Sequence, residues 1–352
     1  MPTRLPEIVD YRQRSIVGCL CCGNQQLRHE TQIVSGFLAA RAWGGPPQAT
    51  QLAYCGACGF RFFDCGLSAI ETARYYRGYR NPEYLATRRR WEPFYTPRQH
   101  AAQVEWSRST QRIDALREAL AGSAAPRHFV SALDHGGNEG HMLAAVAADR
   151  KAVFDPSGCA TLDGIEAFSD ANLLPGGWDL ILSCQVLEHV SAPAQYLRDL
   201  AALLADGGLL YVEVPAEAWR PAPGSRKLRD ACLRLLLRNR PLLIAADVLC
   251  TASRIKLGRL PPLGFVAMRE HLNYFTTESV QALLCNSGFV IDASGINSTG
   301  QIFALARKTT TNDDPLGEGD DVGRHLVADP SAKPAVRRPG ATLRVQSGEI
   351  GV

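Results

Sequence analysis

The chain has 352 residues, 46% of them apolar and 21% charged, the make-up of a water-soluble protein with room for one sizeable domain and a smaller one. A net charge of +3 is too small to argue for nucleic acid as the partner, and no apolar run approaches the ~20 residues of a membrane helix. The opening Met-Pro-Thr-Arg-Leu-Pro-Glu lacks the apolar centre of a signal peptide, so a cytoplasmic protein is expected.

Six of the eleven cysteines fall within the first 65 residues, and four of them make two matching knuckles, Cys19-x-x-Cys22-Gly23 and Cys55-x-x-Cys58-Gly59. In each, two thiolates sit on a tight turn and the following glycine lets the backbone fold beneath a metal. Cys19, Cys22, Cys55 and Cys58 are therefore expected to hold one structural zinc ion with no open coordination position. Cys21 and Cys65 are spare candidates. The 32 intervening residues must form strands or a loop of their own, and residues 1–66 are expected to be a small zinc module.

Residues 67–110 are rich in aromatic and basic side chains, including Tyr75, Tyr76, Tyr79, Tyr84 and Arg88-Arg89-Arg90-Trp91. They read as a helical connector that covers substrate, with nucleic acid or a phosphorylated small molecule as the ligand such interleaving would suit. From Gln111 to Ala121 an amphipathic helix is expected, with Ile113, Leu116 and Leu120 on its inner side.

The stretch Phe129-Val-Ser-Ala-Leu-Asp134 reads as a buried strand with an acid at its tip, followed by a small-residue loop at Gly136, Gly137 and Gly140. A dinucleotide pyrophosphate would be repelled by that carboxylate, and the three glycines of G-x-G-x-x-G are missing. A ligand with an ammonium group, such as the methionyl end of S-adenosylmethionine, suits Asp134 instead. A helix over His141–Ala148 and a strand over Lys151–Phe154 are expected next, ending at Asp155, which lies 21 residues beyond Asp134. That step sets an acid on the neighbouring strand tip, where it can accept the hydroxyls of an adenosine ribose. Ile165–Phe168 and Trp178–Ser183 read as further strands. A helix from Ser191, as N-cap, to Ala205 should stop at Asp206-Gly207-Gly208 before the strand Leu209–Val214, which completes a βαβ unit.

Asp134-x-Gly136-x-x-x-Gly140, Asp155, Trp178-Asp-Leu-Ile, Val186-Leu-Glu-His-Val190 and Leu204-Ala-Asp-Gly-Gly-Leu-Leu-Tyr-Val-Glu-Val-Pro215 together resemble the successive motifs of class I S-adenosylmethionine-dependent methyltransferases. With the paired knuckles ahead of them, the chain is similar to the zinc-containing methyltransferases that include sugar C-methyltransferases acting on nucleotide-linked keto-sugars. The resemblance implies an α/β, Rossmann-like sheet of seven strands, mostly parallel with the last strand antiparallel, over residues 111–308. It implies an enzyme that transfers a methyl group to a small-molecule acceptor, such as a nucleotide-linked sugar or glycan intermediate, at carbon or oxygen. It implies a cofactor held by Asp134, Gly136, Asn138, Gly140, Asp155 and Gln185, and catalytic roles for Glu270 and His271, with His189 as a further base. His135 is a third histidine in range. Asn138 stands where the family has its second loop glycine, and Met268 or Arg269 stands where the sugar enzymes have a tyrosine ahead of Glu-His.

Residues 216–263 are a helical insertion with ten Lys or Arg and three acids. It reads as a lid, as a contact for substrate phosphate, or, through residues 226–240, as a peripheral membrane contact. A helix capped by Thr276 and stopped at Gly288 should follow, then an antiparallel hairpin of Phe289–Ile291 and Gln301–Ala306. The polar residues 309–352 are expected to be disordered. Two other classes compete on parts of this pattern: a nicotinamide-dependent Rossmann enzyme, and a zinc-ribbon nucleic-acid binder using Arg88–Arg90 and the basic insertion.

Overall fold

The computed structural model describes residues 16–79 and 81–309. The expected disordered tail lies, from residue 310 on, outside the described residues. In chain order the elements begin with β1 (Leu27–Val34), α1 (Gly36–Leu38), β2 (Ala49–Cys55) and β3 (Arg61–Phe63). Helices α2 (Ala69–Tyr76), α3 (Pro82–Arg89), α4 (Pro97–Ser107) and α5 (Thr110–Ala121) lead to β4 (Phe129–His135), β5 (Ala148–Phe154), β6 (Glu166–Phe168) and β7 (Trp178–Cys184). Then come α6 (Pro193–Leu203), β8 (Leu204–Pro215), α7 (Arg226–Leu237), α8 (Arg240–Leu257), β9 (Ala267–Met268), β10 (Asn273–Tyr274), α9 (Thr277–Cys285), β11 (Phe289–Ile296) and β12 (Gln301–Lys308).

The larger sheet has seven strands in the order β11-β12-β8-β7-β4-β5-β6. Strands β4 to β8 pair in parallel, and β12 is antiparallel to both β8 and β11. This is the sheet expected from the motifs. The order reverses beside β4, so the crevice at its carboxyl end is a topological switch point, where open α/β sheets bind ligands.

The smaller sheet runs β10-β3-β2-β1-β9. Strands β1, β2 and β3 form an antiparallel meander between and beyond the two knuckles, as the long spacing required. Its outer strands come from much later in the chain: β9 lies parallel to β1, and β10 antiparallel to β3. The loop carrying Glu270 and His271 spans the gap between β9 and β10, so it is anchored on both sides by the cysteine-bearing sheet.

Local departures from the sequence expectations have physical causes. The expected helix His141–Ala148 is a five-residue 3-10 segment, His141–Ala145, with no side-chain cap; Val146 turns extended, and pairing with β4 claims the residues from Ala148. Ser191 is not the cap of α6. Its hydroxyl accepts from the Leu67 amide at 2.9 Å and donates to the Leu67 carbonyl at 2.8 Å, and the helix starts at Pro193, whose fixed φ suits a first position. Helix α6 ends at Leu203, earlier than Ala205, because Leu204 already pairs with Trp178; Asp206, Gly207 and Gly208 form the irregularity before Leu209 pairs with Leu180. On α5 Leu116 is fully buried and Leu120 packs against the same cluster, as expected, while Ile113 is only partly covered and Arg112 and Ala115 join the buried face. Arg112 turns it inward by meeting buried Glu213 of β8 at 2.7 Å.

The insertion lies over the cysteine-bearing sheet. Leu233 of α7 and Leu243 and Cys250 of α8 are buried in one cluster with Ile33, Phe37, Phe63 and Phe265. Arg229 reaches Glu30 of β1 at 3.3 Å. Among the described residues, no helix is long and apolar enough to cross a membrane.

Candidate active site and cysteine cluster

Strand β4 ends in Asp134, 1% exposed, and neither of its carboxylate oxygens has a hydrogen-bond partner among the described residues. Burial pushes its carboxyl up to about 7, against the opposing pull of Arg112. The loop folds directly over this group: a Cβ at Gly137 would lie 2.2 Å from the Asp134 carboxyl carbon, so only glycine fits. Gly136 and Gly140 take φ of 82° and 86°, and Asn138 takes 52°, within the left-handed region that asparagine tolerates. The missing family glycine therefore costs the loop little.

Asp155 follows β5 on the strand next to β4, which the Asp134↔Val153 register confirms. One of its oxygens accepts the Asn138 amide at 3.0 Å and the other the Ser157 amide at 2.9 Å. Each oxygen keeps a lone pair for a ligand hydroxyl. Gln185, with φ of 60°, directs its amide to Glu213 at 3.2 Å and Gln301 at 3.4 Å, on the β8 side of the crevice. A buried, unpaired carboxylate beneath a glycine loop fits an ammonium group. S-Adenosylmethionine would thus be held by Asp134 at its methionyl end and Asp155 at its ribose.

A second group of side chains gathers around the β9–β10 loop. Glu270 accepts from the Tyr75 hydroxyl at 2.9 Å and pairs with Arg88 at 3.3 Å. Burial works against its charge, but Arg88, the two histidines and Tyr75 hold its carboxyl down to about 2. Arg88 and Arg269 in turn share Glu92, at 2.8 and 2.9 Å, and Arg269 also grips Asp247 of α8 at 2.7 Å. Arg88 is thus a buried ion-pair partner and is unavailable to nucleic acid.

His189 lies in a short 3-10 turn after β7, with its ring 4.9 Å from that of His271. Its Nδ1 is 2.9 Å from the Glu270 carbonyl, which can only accept, so Nδ1 carries the proton and Nε2 keeps a lone pair. Burial, aided by repulsion from His271, lowers its pKa to about 4. His271 behaves oppositely. Burial alone would lower it, but Glu217, 2.5 Å from Nδ1, raises it to about 9. Arg254 fixes the other oxygen of Glu217 at 2.5 Å. His135 lies half-buried against Phe154 with its Nδ1 2.9 Å from the Tyr196 hydroxyl, and burial lowers its pKa to about 4.

Sequence reasoning missed Glu217 and Tyr75. Glu217 stood two residues beyond the Val-Pro215 end of β8, a position that carried a weak signal. Tyr75 stood among the eight aromatic residues of 67–110 with nothing to single it out.

The knuckle cysteines converge as expected. Sγ of Cys19 is 3.6 Å from that of Cys58, Cys22 is 3.6 Å from Cys55, and all four lie within 4.8 Å of one another. Four thiolates at ~2.3 Å from zinc stand about 3.8 Å apart at the corners of a tetrahedron, so the set fits the metal. Gly23 and Gly59 take φ of 72° and 73°, and each donates its amide back to the first cysteine carbonyl of its knuckle. The knuckles also grip α9: the Thr276 hydroxyl donates to the Cys58 carbonyl at 2.7 Å, and the Asn286 amide to the Cys21 carbonyl at 2.8 Å.

A family model described as a methyltransferase domain matches residues 98–294, more than half of the chain. The chain belongs to that methyltransferase family. Its members are enzymes of methyl transfer, and the matched span runs from α4 into β11, carrying Asp134, Asp155 and the Glu-His loop. Among solved structures, the methyltransferase is similar to the one in complex with the Trm112 activator of Haloferax volcanii, at 10% identity and a TM-score of 0.39, covering 60% of this chain and 96% of that one. It is similar to the 1,6-didemethyltoxoflavin N1-methyltransferase of Burkholderia thailandensis, at 16% identity and 0.38, covering 74% and 96%. It is also similar to the pyocyanin biosynthetic protein PhzM, at 15% identity and 0.33, covering 55% of this chain and about half of that one, 54%. Comparison with curated proteins finds no match.

Proposed function

We propose that the methyltransferase moves the methyl group of S-adenosylmethionine onto an oxygen-bearing small molecule, with a nucleotide-linked keto-sugar as the first acceptor to test. The observation that carries the reading is Asp134, a buried carboxylate with no partner beneath a glycine loop. When bound, the cofactor supplies a sulfonium methyl whose positive charge disappears on transfer. The protein then has to align the acceptor and manage one proton.

The two histidines divide that work. His189, neutral with a bare Nε2, takes the acceptor proton, while His271, cationic through Glu217, faces the negative charge left on the acceptor oxygen. The tyrosine absent ahead of Glu270 in the sequence has a counterpart in space, the Tyr75 hydroxyl, and this favours carbon methylation next to a ketone. His189→Asn and His271→Asn should each lower kcat by roughly 10²–10³-fold with cofactor affinity nearly unchanged. Wild-type activity should fall as pH rises past about 9, where His271 gives up its proton, and the His271→Asn variant should lack that limb. A pH–rate profile of the variant with the same limb would refute the assignment.

We also propose that the insertion rests on an anionic bilayer. Of the 38 Lys and Arg in the chain ten lie there, and of the 35 acids only three. Leu228 and Leu235 of α7, and Leu242 and Leu249 of α8, are each a heptad apart and at least half exposed. Leu249 and Leu257 also line a cavity of about 710 Å³ flanked by Arg220, Lys256 and Arg259. Apolar side chains rimmed by cations suit a phospholipid interface better than a nucleic acid. The protein should sediment with phosphatidylglycerol vesicles and not with phosphatidylcholine vesicles. Leu249→Asp should weaken this at least tenfold, and absence of sedimentation with the anionic vesicles overturns the proposal.

A further inference from the structure

We infer that Glu188, His189 and His271 form a second metal site, one that takes a divalent cation such as zinc, cobalt or manganese and leaves positions open toward the acceptor. The three offer one carboxylate oxygen and two ring nitrogens within 4.8 Å of one another. Oε1 of Glu188 is 3.8 Å from Nε2 of His189, and the two imidazoles meet at 68° with centres 4.9 Å apart. Ligand atoms around such an ion stand about 3.4 Å apart, so small side-chain rotations complete the set.

Two independent features support a cation here. Glu188 is 1% exposed and neither of its oxygens accepts a hydrogen bond from another residue, an expensive arrangement for a carboxylate with no task. Both histidines also have the outer partners that metal ligands use: Nδ1 of His189 is engaged by the Glu270 carbonyl and Nδ1 of His271 by Glu217, and Nε2 of His189 faces Glu188. A carboxylate behind one imidazole and a carbonyl behind the other are the outer partners such ligands use.

The donor set is unlike that of the cysteine cluster. Two imidazoles and one carboxylate are the three-ligand set of metal sites that keep a position open, whereas four thiolates close theirs. The inference rests on the acceptor site proposed above and deepens it. With the cation bound, both imidazoles are neutral ligands, so the division of labour between His189 and His271 belongs to the metal-free enzyme. The cation then supplies the positive charge, the acceptor it polarises releases its proton to solvent, and acceptors that present an oxygen ligand, such as a ketone or a vicinal diol, are selected.

The test uses the full chain with its cysteine cluster already filled with zinc, titrated with cobalt(II) in the absence of acceptor. One further equivalent should bind, with the weak visible bands of nitrogen and oxygen ligation and no thiolate charge-transfer band. Glu188→Gln and His271→Ala should each weaken it about 100-fold or more. Glu217→Gln, one step removed, should weaken it about 10–100-fold. Circular dichroism and S-adenosylmethionine titration check that each variant is folded, so a cobalt failure with cofactor binding intact rejects the metal site alone. No further equivalent, or binding that either direct-ligand variant leaves at wild-type strength, overturns the inference.

Discussion

Asp134→Asn is expected to abolish measurable S-adenosylmethionine binding, a loss of at least 100-fold by calorimetric titration, while making the ligand-free protein more stable above neutral pH. The native carboxyl is raised from its unfolded value of about 3.9 to about 7, so the folded state holds a proton that the unfolded state releases between those values. The sign follows: this group's contribution to stability is complete below pH 4 and is lost as pH rises through 7. At 1.36 kcal/mol for each unit, the loss between pH 5 and pH 8 is about 3 kcal/mol at most. Asparagine cannot ionise and removes that loss, although its amide, if unpaired, costs on the order of 1–3 kcal/mol. Glu188, raised to about 7 by burial, adds a pH dependence of the same sign to both proteins. The informative quantity is therefore the difference between wild type and variant in urea unfolding at pH 5 and pH 8. A variant that still binds the cofactor, or a difference that does not change with pH, removes Asp134 from its assigned role.

Cys55→Ser should remove one equivalent of zinc and, with it, most of the activity. The cysteine cluster ties down α9 at Thr276 and at Asn286, and Phe60, just past the second knuckle, packs 4.9 Å from Phe275. The same sheet anchors β9 and β10, and so the loop bearing Glu270 and His271. Loss of the metal should displace that loop by an ångström or more and lower kcat about 10²-fold. Hydrogen exchange should rise over residues 267–286, and the melting temperature should fall. Cofactor affinity should change by less than about threefold, because Asp134 and Asp155 stand on the other sheet. Full activity in a zinc-free variant would show that the cluster does not position the loop.

The parts of this molecule legible in its sequence are those whose signal is local. Two C-x-x-C-G turns, the 21-residue step from Asp134 to Asp155 and the run into β8 are each written within a few dozen residues. What could not be read depends on partners far apart. Strands β9 and β10 have two residues each, too few for any periodicity, and exist only because β1 and β3 offer free edges. Glu217 finds His271 across 54 residues and Tyr75 finds Glu270 across 195, and many other acids and tyrosines would have served equally on sequence alone. Arg112 escaped the helical pattern because a buried ion pair with Glu213, 101 residues away, carries a cation onto the inner face.

The parallel pairing of Ile33 with Ala267 and Val34 with Met268 also orders the birth of the protein. Gln32 receives its hydrogen bond from the amide of Val266, 234 residues later, and at ~5–20 residues per second that partner leaves the ribosome about 10–50 s after it. The knuckles need only Cys19 to Cys58, so metal can load on the nascent chain while both edges of the β1–β3 meander are still bare. Those edges wait for the segment that carries the Glu-His loop, so the active site cannot be completed before residues 267–274 are made, and unpaired strand edges stay exposed until then.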